Sequence, residues 1–256
     1  MDQAMTENRA QVYLVGGWGS DPSIWDAVAE HLERASVRFS TVDWQEVIRD
    51  RQALDRLVLD RPAVLVGWSL GGLLALEATL RHPTAVAGLV MIGSTARMCK
   101  AKDYPGVDPL VAQGFKLQLR LLRQRTLHNF ANLCFTDVAT GQVVYPEAAE
   151  EYLRLCLSCE NKALSDGLNC LLKTDLRDSL DTLAERSECA VKILHTRDDA
   201  VIPYVEAEYL AGRVPHSELI LLESGTHSLP ITMPEKVAEV ILSLCWPDAE
   251  GDANDR

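Results

Sequence analysis

Short apolar runs alternate with amphipathic stretches along most of this chain. Four such runs lie in the first hundred residues and two near the end: VYLVGG (12–17), VRFSTVDW (37–44), AVLVGW (63–68), VAGLVMIGS (86–94), AVKILHT (190–196) and ELILLES (218–224). Runs that are apolar on both faces are typical of strands in a parallel sheet covered by helices. The pattern therefore predicts an α/β protein with a mostly parallel sheet, closed by a helix over about 234–244.

A second pattern occupies the middle of the chain. Between residues 97 and 185 the strand signal disappears and helical periodicity replaces it, as in GFKLQLRLLRQRTL and PEAAEEYLRLCLSC, with breaks at Gly141 and Pro146. A helical block inserted between strands is expected to cover an edge of the sheet. We therefore predict one core domain (10–96 and 186–246) carrying a helical cap (97–185). The polar tail, 247–256, is predicted to be disordered.

The stretch VLVGWSLGGLLA passes from a predicted strand directly into helix-forming residues, with Ser69 between Gly67 and Gly71. G-x-S-x-G between a strand and a helix is the nucleophile elbow of α/β-hydrolases, where small flanking residues let the chain reverse tightly around a serine. A phosphate loop would need the lysine of G-x-x-x-x-G-K-S/T, and a dinucleotide turn would need G-x-G-x-x-G; neither motif fits. Ser69 is therefore the predicted nucleophile.

A serine hydroxyl needs a positioned base, and the chain order for this fold is serine, acid, histidine. His227, in LLESGTHSLP directly after the last predicted strand, is the predicted base. The acid is expected after the preceding strand, where HTRDDAVIP offers Asp198 and Asp199. We favour Asp199, which stands at the turn that leads into the next helix, and Asp198 is the alternative.

An oxyanion needs two hydrogen-bond donors close to the nucleophile. One predicted donor is the backbone N–H of Leu70, at the N-terminus of the elbow helix, where the helix dipole favours negative charge. The other is the backbone N–H of Trp18, in the glycine-rich loop VGGWGSDPSIW after the first predicted strand. An ordinary core aromatic is the alternative interpretation of the Trp18 side chain.

The distribution of charge bears on the partners. The chain has 25 basic and 37 acidic residues, a net charge of −12, which argues against nucleic acid and anionic membranes as partners. Residues 97–128 depart from this balance, with seven basic and two acidic residues. On a helix predicted from Gly114, Lys116, Arg120 and Arg123 follow i, i+4, i+7 spacing and form one basic stripe.

Seven scattered cysteines, an odd number, fit a reducing cytoplasm better than a disulfide framework. Cys156 and Cys159 form a C-x-x-C pair, but Cys134 and Cys170 lie too far away to complete a zinc pattern. Buried cysteines on a helix are the preferred interpretation. With no secretory signal or membrane span in sight, we expect a cytoplasmic monomer without metal or cofactor.

Several stretches together resemble a known family: GGWGSDPSIWDAVAEHL, LVGWSLGGLLALEATLRHP, YPGVDPLVAQGFKLQL, LLKTDLRDSL and GTHSLPITMPEKV. They are similar to the pimeloyl-acyl carrier protein methyl ester esterases of biotin synthesis, a branch of the α/β-hydrolases, over about residues 12–244. The resemblance implies a serine carboxylesterase that cleaves the methyl ester masking a carrier-bound pimeloyl chain. The alternatives are a general short-chain carboxylesterase or thioesterase and a non-catalytic binding protein of the same fold.

Carried over by residue, the resemblance implies Ser69, Asp199 and His227 as a triad, with Trp18 and Leu70 at the oxyanion site. It also implies a substrate wall in the cap, formed by Phe130, Ala131, Asn132, Leu133 and Cys134. Cap arginines of the family meet the carrier protein, and Arg125 matches one of them. We predict that the basic stripe joins this contact because it lies on the element expected to cover the nucleophile; a solvated helix face is the alternative. The predicted carrier-protein contacts are Lys116, Arg120, Arg123 and Arg125.

Overall fold

The structure, a computed structural model, describes residues 10–186, 188–214 and 216–245. The strands of the described residues are β1 (Gln11–Val15), β2 (Phe39–Val42), β3 (Ala63–Trp68), β4 (Val86–Ile92), β5 (Thr136–Asp137), β6 (Gln142–Val143), β7 (Ala190–Thr196) and β8 (Glu218–Leu222). Six of them form one sheet in the order β2-β1-β3-β4-β7-β8, and every pair in it is parallel. The predicted α/β class with a parallel sheet is confirmed.

Burial follows position in the sheet. All residues of β1 and β3 are buried, as the uninterrupted apolar runs predict for central parallel strands. The edge strands β2 and β8 are partly exposed. The predicted run 37–44 overshoots β2 because its last residues start a helix, with the Asp43 side chain accepting a hydrogen bond from Gln45 N–H at 2.8 Å.

Twelve α-helices lie in the described residues. They are α1 (Asp26–Arg34), α2 (Trp44–Arg49), α3 (Ala53–Asp60), α4 (Leu70–Arg81), α5 (Pro109–Leu121), α6 (Arg123–Cys134), α7 (Pro146–Ser158), α8 (Asn161–Lys173), α9 (Asp181–Arg186), α10 (Val205–Arg213), α11 (Leu229–Thr232) and α12 (Pro234–Cys245). Helix α4 packs on β3 and β4, whereas α1 and α12 pack against each other. None of the described helices is long and apolar enough to cross a membrane.

The cap differs from its prediction in two places. A hairpin of β5 and β6 interrupts the helical block, with Gly141 at φ +68° in its turn and Asp137 accepting a hydrogen bond from Thr140 N–H. The single helix predicted from Gly114 through Arg123 is wrong. Helix α5 begins earlier, at Pro109, and the chain leaves helical geometry at Leu122 (φ −134°, ψ 45°) before α6 begins.

Three cap helices contribute side chains at the carboxyl edge of the sheet. Side chains from α5, α6 and α8 line the same cavity as Ser69, which directly follows β3, and Asp199, which follows β7. The ends of parallel strands are where ligands bind in open α/β sheets. The tail predicted to be disordered, 247–256, lies outside the described residues.

Candidate active site

The elbow places Ser69 in a strained conformation between β3 and α4. Its φ of 54° and ψ of −120° lie outside the regions that non-glycine residues normally adopt. Gly67 and Gly71 make this turn possible, because a Cβ on Gly67 would overlap the backbone of Gly71 and one on Gly71 would overlap the backbone of Val15. The Ser69 carbonyl oxygen accepts a hydrogen bond from Ser94 Oγ at 2.7 Å, which helps to hold the turn.

Three predicted residues meet at this turn. His227 Nε2 lies 3.1 Å from Ser69 Oγ, and His227 Nδ1 lies 2.8 Å from Asp199 Oδ2. The other oxygen of Asp199 accepts hydrogen bonds from the N–H groups of Val201 and Ile202, both at 2.8 Å. The structure thus brings Asp199 to the histidine, whereas the hydrogen bond described for Asp198 runs from its backbone N–H to a threonine hydroxyl.

The electrostatics of the relay favour an ionised acid. Burial opposes ionisation of Asp199, but the adjacent His227 ring and its hydrogen bond outweigh burial and lower the pKa of the carboxyl. A second imidazole, His195, lies 3.5 Å from Asp199 Oδ2, and its Nε2 lies 2.9 Å from the Ile202 carbonyl oxygen. Burial lowers the pKa of His195, and Nε2 carries a proton that it donates to the Ile202 carbonyl oxygen, because a carbonyl oxygen can only accept.

Trp68 links the elbow to the histidine loop. Its indole N–H donates to the His227 carbonyl oxygen at 2.8 Å, and the two rings lie 5.4 Å apart. Sequence reasoning missed Trp68, Ser94 and His195 as parts of the site. Trp68 lies within the G-x-S-x-G motif, but its partner is 159 residues away in the chain, so no local pattern indicates the contact.

Of the two residues predicted to donate to the oxyanion, Leu70 directly follows Ser69 and Trp18 lines the same cavity as Ser69. Leu70 is the first residue of α4, so its N–H has no acceptor within the helix. Trp18 is fixed from both sides: its carbonyl oxygen accepts from the Tyr152 hydroxyl at 2.6 Å, and its indole N–H donates to the Leu164 carbonyl oxygen at 2.8 Å. Helices α7 and α8 of the cap therefore hold the carbonyl group and the indole ring of Trp18.

A cavity of about 270 Å³ opens over Ser69, and its lining is mostly apolar. The Trp18 ring forms one wall, edge-on to Phe115 and Phe130. Of the five predicted wall residues, Phe130 and Leu133 line the cavity. The other three do not: Ala131 and Cys134 are buried, and Asn132 Nδ2 lies 3.5 Å from His128 Nδ1. A helix turns only part of its surface to one side, which is why a run of five consecutive residues cannot form a wall.

The predicted basic residues divide into two groups. Lys116, Arg120 and Arg123 line a groove of about 390 Å³ between α5 and α8. Arg123 is engaged there, because its guanidinium donates to the carbonyl oxygens of Leu157 and Cys159 at the end of α7, at 3.0 and 2.9 Å. Lys116 and Arg120 are exposed and take part in none of the ion pairs of the described residues.

The remaining predicted basic residue, Arg125, is exposed on α6 outside this groove. Both cysteines of the C-x-x-C pair are buried, as predicted, and burial raises the pKa of the Cys156 and Cys159 thiols, the latter to about 11. Over the described ranges, no group of three or more His, Cys, Asp or Glu side chains is arranged to hold a metal ion.

Several known proteins are similar to this chain in sequence over nearly its whole length. A family model described as "Alpha/beta hydrolase family" matches residues 12–240. A pimeloyl-acyl-carrier protein methyl ester esterase from Aromatoleum aromaticum is 32% identical over 91% of this chain and 97% of that protein. A protein of the same name from Klebsiella pneumoniae is 29% identical over 94% of this chain and 96% of its own.

Solved structures share the fold. A bromoperoxidase from Bacillus anthracis superposes with a TM-score of 0.82 at 21% identity, covering 92% of this chain and 91% of that one. An esterase from Exiguobacterium antarcticum superposes with a TM-score of 0.78 at 20% identity, covering 91% of both chains.

Proposed function

Because this chain belongs to the alpha/beta hydrolase family, we propose that it is a serine carboxylesterase that removes the methyl ester from pimeloyl-acyl carrier protein. The observation that carries the proposal is the hydrogen-bonded series from Ser69 through His227 to Asp199, built on a strained elbow at the floor of an apolar cavity. The methyl ester as substrate is supported by the names of relatives that match nearly the whole chain.

In the first half of the reaction, Ser69 Oγ attacks the ester carbonyl carbon while its proton passes to His227 Nε2. Asp199 accepts a hydrogen bond from Nδ1–H, which fixes the tautomer and stabilises the imidazolium. The N–H groups of Trp18 and Leu70 donate to the oxyanion. Methanol leaves with the proton from Nε2, and the acyl group stays on Ser69.

In the second half, water attacks the acyl-serine. His227 accepts a proton from that water and returns one to Ser69 Oγ as the bond to serine breaks. The products are the free carboxylate at the far end of the pimeloyl chain and the restored enzyme. The apolar walls around Phe115, Phe130 and Leu168 suit the methylene chain, which lacks polar groups.

The groove between α5 and α8 supports a negatively charged carrier as the partner. Lys116 and Arg120 expose two cations there, and Leu168 lines both the groove and the cavity over Ser69. The chain as a whole has a net charge of −12, so this basic face differs from its surroundings and would steer an acidic protein toward the cap. Arg123 contributes charge but is held by the end of α7.

The test compares two substrates with the same reacting end. Purified protein is given the methyl ester of pimeloyl-acyl carrier protein or a small methyl ester of the free diacid, and methanol release is measured. We expect kcat/KM to be at least about tenfold higher for the carrier-bound ester, because carrier binding adds interactions that the free ester lacks. Equal rates on both would favour the alternative, a general short-chain esterase.

A further inference from the structure

A buried carboxyl group lies close to the relay but outside it. Glu206, in the first turn of α10, is fully buried, and its Oε2 lies 3.1 Å from the Tyr104 hydroxyl. That hydroxyl lies 2.6 Å from Thr95 Oγ1. Three parts of the molecule meet here: the turn after β4, the leading segment of the cap (97–108) and the helix that follows the Asp199 loop.

The groups around Glu206 leave a carboxylate charge uncompensated. Its described hydrogen-bond partner is a neutral hydroxyl, and its Oε1 has no partner among the described residues. The ionisable groups near this cluster are Arg97, Cys99, Tyr104, Arg177, Asp199 and Tyr209. Both arginines pair with Asp175. Burial, reinforced by Asp199, therefore raises the pKa of Glu206 to about 8, against the opposing effect of the Thr95 and Tyr104 hydroxyls.

The hydrogen bonds of the cluster can be assigned by counting protons. Thr95 Oγ1 has one proton and donates it to the Arg97 carbonyl oxygen at 2.7 Å. Tyr104 must then donate its own proton to Thr95 Oγ1. The Glu206 carboxyl group must consequently be protonated and donate the hydrogen bond to the Tyr104 oxygen. If Glu206 ionised, both hydroxyls would have to reverse, and the Arg97 carbonyl oxygen would lose its donor.

The hydrogen-bonded series from Thr95 through Tyr104 to Glu206 joins two walls of the cavity over Ser69. Met98 and Val107, from the leading segment of the cap, line that cavity on one side. The loop 199–203, which runs directly into the helix of Glu206, lines it on another. A bond between Tyr104 and Glu206 therefore fixes the distance between the two walls.

We propose that Glu206 is a positioning residue for the ester hydrolysis: as a neutral carboxylic acid it donates to Tyr104 and ties the leading segment of the cap to the Asp199 loop, and its ionisation reverses both hydroxyls and leaves the Arg97 carbonyl oxygen of that segment without its donor. The role rests on the proposed function, but it concerns any ester that the cavity accepts. Glu206 touches neither the substrate nor the relay, so its loss acts on KM more than on kcat.

The first test is the pH dependence of KM for the wild type, Glu206→Gln, and the matched control Glu208→Gln, an exposed residue two positions along the same helix. The glutamine amide donates to the Tyr104 oxygen as the neutral acid does, but it cannot ionise. We expect KM of the wild type and of Glu208→Gln to rise about fivefold between about pH 7 and pH 9, and KM of Glu206→Gln to stay within about twofold. Superimposable profiles for all three proteins would overturn the proposal.

A second test needs no substrate, so a failure of the proposed function leaves it interpretable. The unfolded chain releases the Glu206 proton near the ordinary pKa of 4.5, whereas the native state holds it up to about 8. The stabilisation that protonated Glu206 contributes to the native state is therefore complete below pH 4.5. It is lost as the pH rises through about 8. We expect Tm of Glu206→Gln to fall less than Tm of the wild type over that window; an equal fall in both would count against a neutral Glu206.

If Glu206→Gln does not fold, infrared spectroscopy of the wild type decides the point. A buried carboxylic acid has a C=O stretching band that disappears on ionisation. We expect this band at about pH 7 and its loss at about pH 9. Its absence at the lower pH would overturn the proposal.

Discussion

Ser69 holds a backbone conformation that serine rarely adopts, and its neighbours enforce it. The sequence predicts this turn, because only glycine fits at positions 67 and 71 on either side of Ser69. The acid remained ambiguous between two adjacent aspartates, since the difference lies in side-chain direction. The structure separates them: two amides of the following turn bind one oxygen of Asp199, which leaves the other directed at His227.

At this scale, replacing Asp199 by Asn is expected to lower kcat roughly 10⁴-fold, by analogy with the triad acid of the serine proteases. Because the N–H groups of Val201 and Ile202 hold the amide oxygen, the amide NH2 group faces His227 Nδ1, where it cannot accept the Nδ1–H bond or stabilise the imidazolium. Asp198→Asn is the matched control, one position away, and should stay within about threefold of the wild type. The measurement is kcat on a small methyl ester. An inactive Asp198→Asn together with an active Asp199→Asn would show that Asp198 is the triad acid.

At the scale of elements, strands were easier to predict than breaks in helices. The runs 63–68 and 190–196 coincide with β3 and β7, because central parallel strands are apolar on both faces. The break at Leu122 has no such signature, since the helix-favouring sequence LQLRLLRQRTL continues across it. The break coincides with the engagement of Arg123 by the end of α7, a contact between segments more than thirty residues apart.

The break changes which charges are free to meet a partner. Lys116 and Arg120 lie on α5 without described carboxylate partners, so reversing both to Glu should raise KM for the carrier-bound ester about tenfold or more. Hydrolysis of a small free ester should change less than about twofold, and added salt should remove most of the difference between variant and wild type. The assay is methanol release from each ester at two ionic strengths.

The matched control replaces Arg34 and Arg61 by Glu. Both are exposed cations of the core domain, and their replacement changes the net charge by the same amount. It should leave both substrates close to wild type. A KM that rises equally for both esters in the α5 variant, or equally in both double variants, would make the basic face a solvated surface and leave the carrier unassigned.

At the scale of the molecule, the six-stranded parallel sheet delivers residues from distant parts of the chain to one edge. Ser69 follows β3, Asp199 follows β7 and His227 follows β8, and these strands run in the same direction. Sequence order predicted this convergence, because parallel strands end at the same edge. It could not predict the cavity, whose walls combine cap helices with Trp18 and the loop 199–203, and only two of the five predicted wall residues line it.

The most direct test is the intact mass of pimeloyl-acyl carrier protein methyl ester after incubation with the protein, with Ser69→Ala as the control. We expect the carrier to lose one methyl group and to keep its acyl chain. Ser69→Ala should reduce the rate roughly 10⁶-fold, because it removes the nucleophile. Loss of the whole acyl chain would identify a thioesterase instead, and an unchanged carrier, or an active Ser69→Ala, would contradict the proposed function.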